Sequence, residues 1–145
     1  MSPPSLHAVV EAPGEHGAAE LLAAHAEQLA AVVDAAGEET ASIDPDVLDA
    51  ITGGDPAAVG ELALGDVAAV LALADGTPAA DALVDEALEE LLFGMTTAVL
   101  DVEVLAAELP QDLEPREVQG ILEGRHPTSL HVYATLQAVI AGRGA

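Results

Sequence analysis

The residues of this chain able to do chemistry are five histidines, three arginines and twenty-six carboxylates. His16 and Glu20 stand one helical turn apart with Glu15 beside them, so a single helix face would offer a metal ion an imidazole and a carboxylate. A zinc site needs three or four convergent ligands. His25 lies nine residues beyond His16, and His7, His126 and His131 add no further i, i+4 pair. The histidines are therefore expected to be solvated, and no metal site is expected. Paired carboxylates, the groups of general acid–base hydrolysis, recur throughout so acidic a sequence and single out no position. No Ser-His-Asp set and no glycine-rich phosphate loop stands out, and Gly53-Gly54 reads as a helix stop. With no cysteine there are no disulfides, no thiol catalysis and no cysteine-based zinc. The expectation is a non-catalytic chain with no cofactor and no small-molecule ligand evident.

The acids are informative as a population. Twenty-six Asp and Glu against three Arg and no Lys leave a formal charge of −23 over 145 residues, and such self-repulsion opposes a compact state in dilute buffer. At about 1 M salt the Debye length is roughly 3 Å, so neighbouring surface carboxylates scarcely feel one another. The acids are scattered at helical spacing, as in Glu20, Glu27, Asp34 or Asp81, Asp85, Glu89, through a sequence that is 51% hydrophobic. Acidic disorder needs low hydrophobicity as well as high charge. The pattern is that of a folded protein with an acidic skin, expected in the cytoplasm of a salt-accumulating halophile.

The elements that must position these side chains read as helices. Alanine supplies 31 residues, and Phe93 and Tyr133 are the only Phe and Tyr, a composition that favours closely packed helices and an all-α fold. Met1 to Gly17 has no basic n-region, so no signal peptide is expected, and residues 1–16 read as a flexible N-terminal segment. Leu91 to Leu100 is an uncharged run of ten, and His126 to Gly142 contains Thr, Ser, His and Gln; both fall short of the roughly 20 apolar residues of a membrane span. Periodicity predicts a helix from Ala18 to Ala36, ended by Gly37, with Leu21, Leu22, Leu29, Val32 and Val33 on one side. Asp44-Pro45 starts a second that carries Leu48 and Ile51. Another runs from Leu64 to Ala74, and Thr77-Pro78 restarts the chain into a long central helix.

Sliding the sequence by 70 positions repeats this plan. Leu21 and Leu22 meet Leu91 and Leu92, Leu29 meets Val99, Val32 meets Val102, Asp44-Pro45 meets Glu114-Pro115, Ile51 meets Ile121 and Gly54 meets Gly124. After a loop four residues shorter, at an offset of 66, Leu64, Val67, Val70 and Gly76 meet Leu130, Tyr133, Leu136 and Gly142. The matches fall on core and cap positions, which two copies of one unit must share. A first helical repeat is placed at 17–76 and a second within 77–145, joined by the central helix into one compact domain.

The second repeat carries a family resemblance. Val104-Leu105-Ala106-Ala107-Glu108-Leu109, the turn at Pro110-Gln111-Asp112, the segment Glu114 to Arg125, then Pro127-Thr128-Ser129-Leu130 with Tyr133, Leu136 and Ile140 resemble the helix-turn-helix of Cro/repressor-type regulators. The usual tight glycine turn is replaced by the longer Pro110 to Leu113. The whole chain is similar to a group of small acidic haloarchaeal proteins of unknown function. The helix-turn-helix resemblance implies base contacts from Arg116, Glu117, Gln119 and Gly120, with Arg125 in the following turn. Arg reads guanine and Gln reads adenine through paired hydrogen bonds, so Arg116, Gln119 and Arg125 are the candidate DNA contacts. The same face of the first repeat offers Asp46, Val47, Asp49 and Ala50, which suit no phosphate backbone.

Leu91 to Leu100 is the least polar helical segment and sits where the repeats join. Apolar on most sides, it is expected to be buried all round, between the repeats or against a second subunit. Leu92, Phe93 and Met95 are the candidate interface residues, with Gly94 permitting close helix approach. The leading expectation is association with a protein partner or with itself as a homodimer. The alternative is a DNA-binding regulator working through the second helix-turn-helix.

Overall fold

Carboxylates set where the helices begin. In a computed structural model that describes residues 4–10 and 13–144, Asp44 accepts the Asp46 N–H at 2.8 Å and Asp55 accepts the Ala57 N–H at 3.1 Å. Asp101 accepts the Val104 N–H at 2.9 Å, while Glu20 and Glu117 reach back to the amides of Gly17 and Glu114. Each carboxylate satisfies an otherwise unpaired donor and lies at the positive end of a helix dipole. A 3₁₀ turn at Pro13–Glu15 precedes α1 (Ala18–Ala36), and a second at Gly37–Ser42 leads to α2 (Pro45–Thr52). There follow α3 (Pro56–Gly60), α4 (Leu64–Leu71), α5 (Ala80–Ala98), α6 (Val102–Glu108), α7 (Pro115–Leu122) and α8 (Leu130–Gly144). The fold is all-α, and among the described residues no helix is long and apolar enough to cross a membrane.

One hydrophobic cluster runs through the molecule, and α8 lies at its centre. Leu130, Tyr133, Ala134, Thr135, Leu136, Gln137 and Ile140 of α8 are all buried, as they must be in a helix packed by α1, α5, α3, α4 and α6. A helix apolar on all sides belongs inside. The sequence assigned that place to Leu91–Leu100; the structure assigns it to α8, with α1 and the end of α5 against it. Gly94 marks the α5–α8 contact, since a Cβ there would lie 2.7 Å from Ile140 Cγ2. The close approach that Gly94 permits is therefore inside the chain.

Of the N-terminal segment 1–16, residues 1–3 and 11–12 lie outside the described residues. The described part makes contacts with the rest of the fold. Leu6 is buried, the Gln28 side chain donates to Ser5 O at 3.1 Å, and Gln137 Nε2 lies 3.3 Å from Leu6 O and His7 O.

Two pairs of helices begin in register. Helices α2 and α7 are both eight residues long and start at Pro45 and Pro115, and each is followed by a glycine in the left-handed region, Gly54 at φ 76° and Gly124 at φ 79°. Ahead of α4 and α8 the chain crosses itself in an isolated antiparallel bridge between Ala63 and Ser129. Leu64 N–H donates to Thr128 O at 2.9 Å, and Leu130 N–H donates to Leu62 O, also at 2.9 Å. The halves diverge elsewhere. Continuous α1 has no equal seventy positions on, where the chain is cut by Val99 into α5 and α6. In α2 Val47 is buried and Leu48 only half-buried, so this helix is turned relative to α7, in which Val118 is buried. Val47 is thus a core residue and not part of an exposed face.

Candidate functional site

The arginines come first because a nucleic-acid interface would depend on them. Arg116, one residue into α7, is 87% exposed, and its Nε lies 3.3 Å from Glu114 Oε2. Arg125 donates from Nε to Glu123 Oε1 at 2.9 Å, and Gln119 donates to Glu123 Oε2 at 3.2 Å. The structure thus brings Gln119 and Arg125 together on one carboxylate. The Arg125 hydrogen bond first, and then that from Gln119, hold the Glu123 carboxyl below its ordinary range. Arg143, near the end of α8, pairs with Glu108. Each of the three arginines is matched by an acid, and the first turn of α7 adds Glu117. Gly120, expected on the base-reading face, is buried beneath His126, whose ring carbon would lie 3.3 Å from a Cβ.

The histidines do not converge. His16 Nδ1 lies 3.2 Å from Glu20 Oε2, a surface pair that lowers the Glu20 pKa, the backbone N–H of Gly17 adding to the effect. Among the described residues no group of three or more His, Asp or Glu is gathered as a metal site would require. His25 departs from the expected solvation. It sits on the apolar stripe of α1 with Leu21, Leu22 and Leu29, is buried, and lies 3.0 Å through Nε2 from Gln137 Oε1. Its ring meets Tyr133 edge-on at 5.9 Å. Burial pushes the His25 pKa down, the Gln137 bond opposing it in part. Burial pushes the Tyr133 phenol up, and the charges of Glu90 and Glu86 add to that. Spacing carried the signal for His25, which falls one turn after Leu21 and one turn before Leu29; Gln137 lies between apolar Leu136 and Ala138 with no such pattern to mark it.

The remaining feature is a surface. Val99, Phe93, Leu92 and Val104 are 89%, 70%, 41% and 40% exposed, and they are the large hydrophobics on the described surface. Leu92 and Phe93 lie near the end of α5, Val99 just beyond it and Val104 in the first turn of α6. Met95, grouped with Leu92 and Phe93 from sequence, turns the other way and is buried. Thr96 and Thr97 donate their hydroxyls back to Leu92 O and Phe93 O at 3.1 and 3.0 Å, so the polar atom of each is spent on its own helix. No carboxylate occurs between Glu90 and Asp101.

A family model matches residues 21–143 of this sequence. The chain belongs to DUF5791, a family of unknown function. No curated protein and no solved structure matches it. The DUF5791 segment runs from the first turn of α1 almost to the end of α8, so the apolar face and all three arginines lie within it, whereas Leu6 and His7 lie outside.

Proposed function

We propose that this DUF5791 protein is a non-catalytic association module from the cytoplasm of a halophilic archaeon, and that the apolar face of Leu92, Phe93, Val99 and Val104 is where it meets a partner. The observation that carries the reading is the 70% exposure of the only Phe in the chain, beside a Val that is 89% exposed. The four lie close together in the chain, about the junction of α5 and α6, and exposed apolar residues that gather mark interaction sites, whereas singly scattered ones do not. The halophilic origin rests on the net charge of −23 with no Lys, and on acids that serve as helix caps instead of massing in a tail. The two halves read as copies of one unit, a reading favoured by the common starts at Pro45 and Pro115 and by the reciprocal Leu64–Thr128 and Leu130–Leu62 bonds.

Regulation through the helix-turn-helix-like pair α6 and α7 is the second reading. Exposed Arg116 on the first turn of α7 favours it. The pairing of Arg116, Arg125 and Arg143 with Glu114, Glu123 and Glu108 weighs against it, because a phosphate backbone would have to displace acids that stay beside it.

A photoreactive phenylalanine analogue at position 93 tests the association reading, with illumination in a lysate held at about 1 M salt to keep surface charges screened. The expected result is a covalent adduct with another polypeptide that the same analogue at exposed Asp34 does not give. No adduct above the Asp34 control sinks the reading. Enrichment at one DNA sequence in chromatin immunoprecipitation, lost with Arg116→Ala, would replace it with the regulator.

A further inference from the structure

We propose that the pocket between α5 and α8, which His7 also lines, is a binding site for a small alkylammonium ion held by Glu90 and Tyr133. The pocket has a volume of about 140 Å³. An apolar cavity of about 150 Å³ holds benzene, so a ligand of roughly six non-hydrogen atoms fits. Its walls are apolar, with Leu91 and Gly94 from α5 opposite Ile140 and Ala141 from α8. Within it Tyr133 presents an anomaly. That side chain is 1% exposed, and its hydroxyl is buried with no hydrogen-bond partner among the described residues, whereas the large majority of buried polar atoms in folded proteins are paired. Burial first, and then the charges of Glu90 and Glu86, keep the phenol protonated. Because both charges reach it from α5, the hydroxyl end of the ring lies on the side where the pocket is.

The polar groups of the pocket select the ligand. Gln137 is fully engaged, its Oε1 lying 3.0 Å from His25 Nε2 and its Nε2 3.3 Å from Leu6 O and His7 O. His7 has its Nε2 2.5 Å from Glu86 Oε1. Glu90 is exposed and pairs with no cation among the described residues. The pocket groups left without a partner are therefore the Glu90 carboxylate, which only accepts hydrogen bonds, and the Tyr133 hydroxyl, whose lone pairs also accept. An anion is repelled by Glu90 and finds no opposing charge. An ammonium head donates to both groups, while its alkyl chain lies against Leu91, Ile140 and Ala141. A bare metal ion leaves those walls unfilled, and among the described residues no three His, Asp or Glu gather to hold one.

Tyr133 is the only Tyr and the chain has no Trp, so tyrosine fluorescence of the purified full chain reads this pocket alone. The test exchanges KCl for butylammonium chloride at constant high salt, with 1-butanol and butyrate as uncharged and anionic counterparts, at concentrations that leave circular dichroism unchanged. Butylammonium is expected to give a saturable change and to raise the melting temperature, as a ligand of the folded state does. Glu90→Gln alters an exposed side chain, so it should keep the helical spectrum and weaken butylammonium about tenfold, as loss of a hydrogen bond to a charged group does. Ala141→Leu fills the pocket and should abolish the saturable change; if it lowers helicity, Glu90→Gln decides alone. No saturable change with butylammonium overturns the site, as does binding that survives in a folded Ala141→Leu. Equal or tighter binding of 1-butanol or butyrate, or indifference to Glu90→Gln, overturns the ammonium ligand. None of these failures touches the association reading, because Phe93 does not line the pocket.

Discussion

Val99 stands in the helix-ending position that Gly124 occupies at the end of α7. Leu100 N–H donates to Met95 O at 2.9 Å and Val99 N–H to Thr96 O at 3.3 Å; Arg125 N–H donates to Gly120 O at 2.8 Å and Gly124 N–H to Ile121 O at 3.0 Å. Both sets are the paired bonds of a Schellman stop, whose key residue takes positive φ. Gly124 does so at 79° without a Cβ, whereas Val99 does so at 57° with a branched one, a conformation that costs on the order of 1–3 kcal/mol.

Replacing Val99 with Gly is therefore expected to stabilise the monomer by about 1 kcal/mol, relief of strain outweighing the freedom glycine adds to the unfolded chain. Gly124→Val should destabilise by a similar or larger amount. Chemical denaturation at high salt measures both, and a loss of stability in Val99→Gly would show that the side chain rests on an attraction this reading omits.

Packing at Gly94 gives a second expectation. A methyl group there meets Ile140 Cγ2 at 2.7 Å, so Gly94→Ala should cost about 1–3 kcal/mol despite its better helix propensity. The double variant with Ile140→Ala should lose less than the sum of the single changes, because the second removes the atom the first strikes. Strict additivity would mean that α5 and α8 do not meet at this point.

Much of the frame is legible in the sequence, for identifiable reasons. The starts at Ala18, Pro45, Leu64, Pro115 and Leu130 follow from caps, prolines and periodicity, all local signals. The end of α5 does not, because no glycine announces the left-handed residue and Val99 reads as one more member of an apolar run. The direction of each side chain in that run was illegible for another cause. Ten uncharged residues leave no polar face to orient the helix, and only the placing of α8 against Gly94 decides that Met95 turns in while Phe93 turns out. Val47 and Leu48 are adjacent and both apolar, so α2 could be read in either rotation.

His25 supplies a pH prediction. Its folded pKa lies below the ordinary value because of burial, so the unfolded state binds its proton first as pH falls. Stability from this group is complete above about 6.5, the unfolded value, and declines as pH drops below that toward the folded pKa. His25→Gln, which keeps a polar side chain near Gln137, should flatten this part of the profile. Melting temperatures of wild type and variant between neutral and mildly acidic pH, taken at constant high salt, isolate the difference from the titration of surface acids. Parallel profiles would mean that His25 is solvated after all.

Salt provides the broadest prediction, and it bears on the charge of the whole chain. The carboxylates that cap α2, α3 and α6 stabilise those helices locally, but they are a few among twenty-six acids opposed by three arginines, each already paired. Lowering salt from about 1 M to about 0.01 M lengthens the Debye length from roughly 3 Å to roughly 30 Å, so carboxylates on different helices come to repel across the whole fold. The core set against that repulsion is mainly Leu and Val, with Tyr133 inside it and Phe93 left on the surface. The helical circular dichroism is expected to fall on dialysis into dilute buffer and to return when KCl is restored. A cooperative melt with full helicity in dilute buffer would show that the acidic skin is tolerated without screening, and would remove the main support for a halophilic origin.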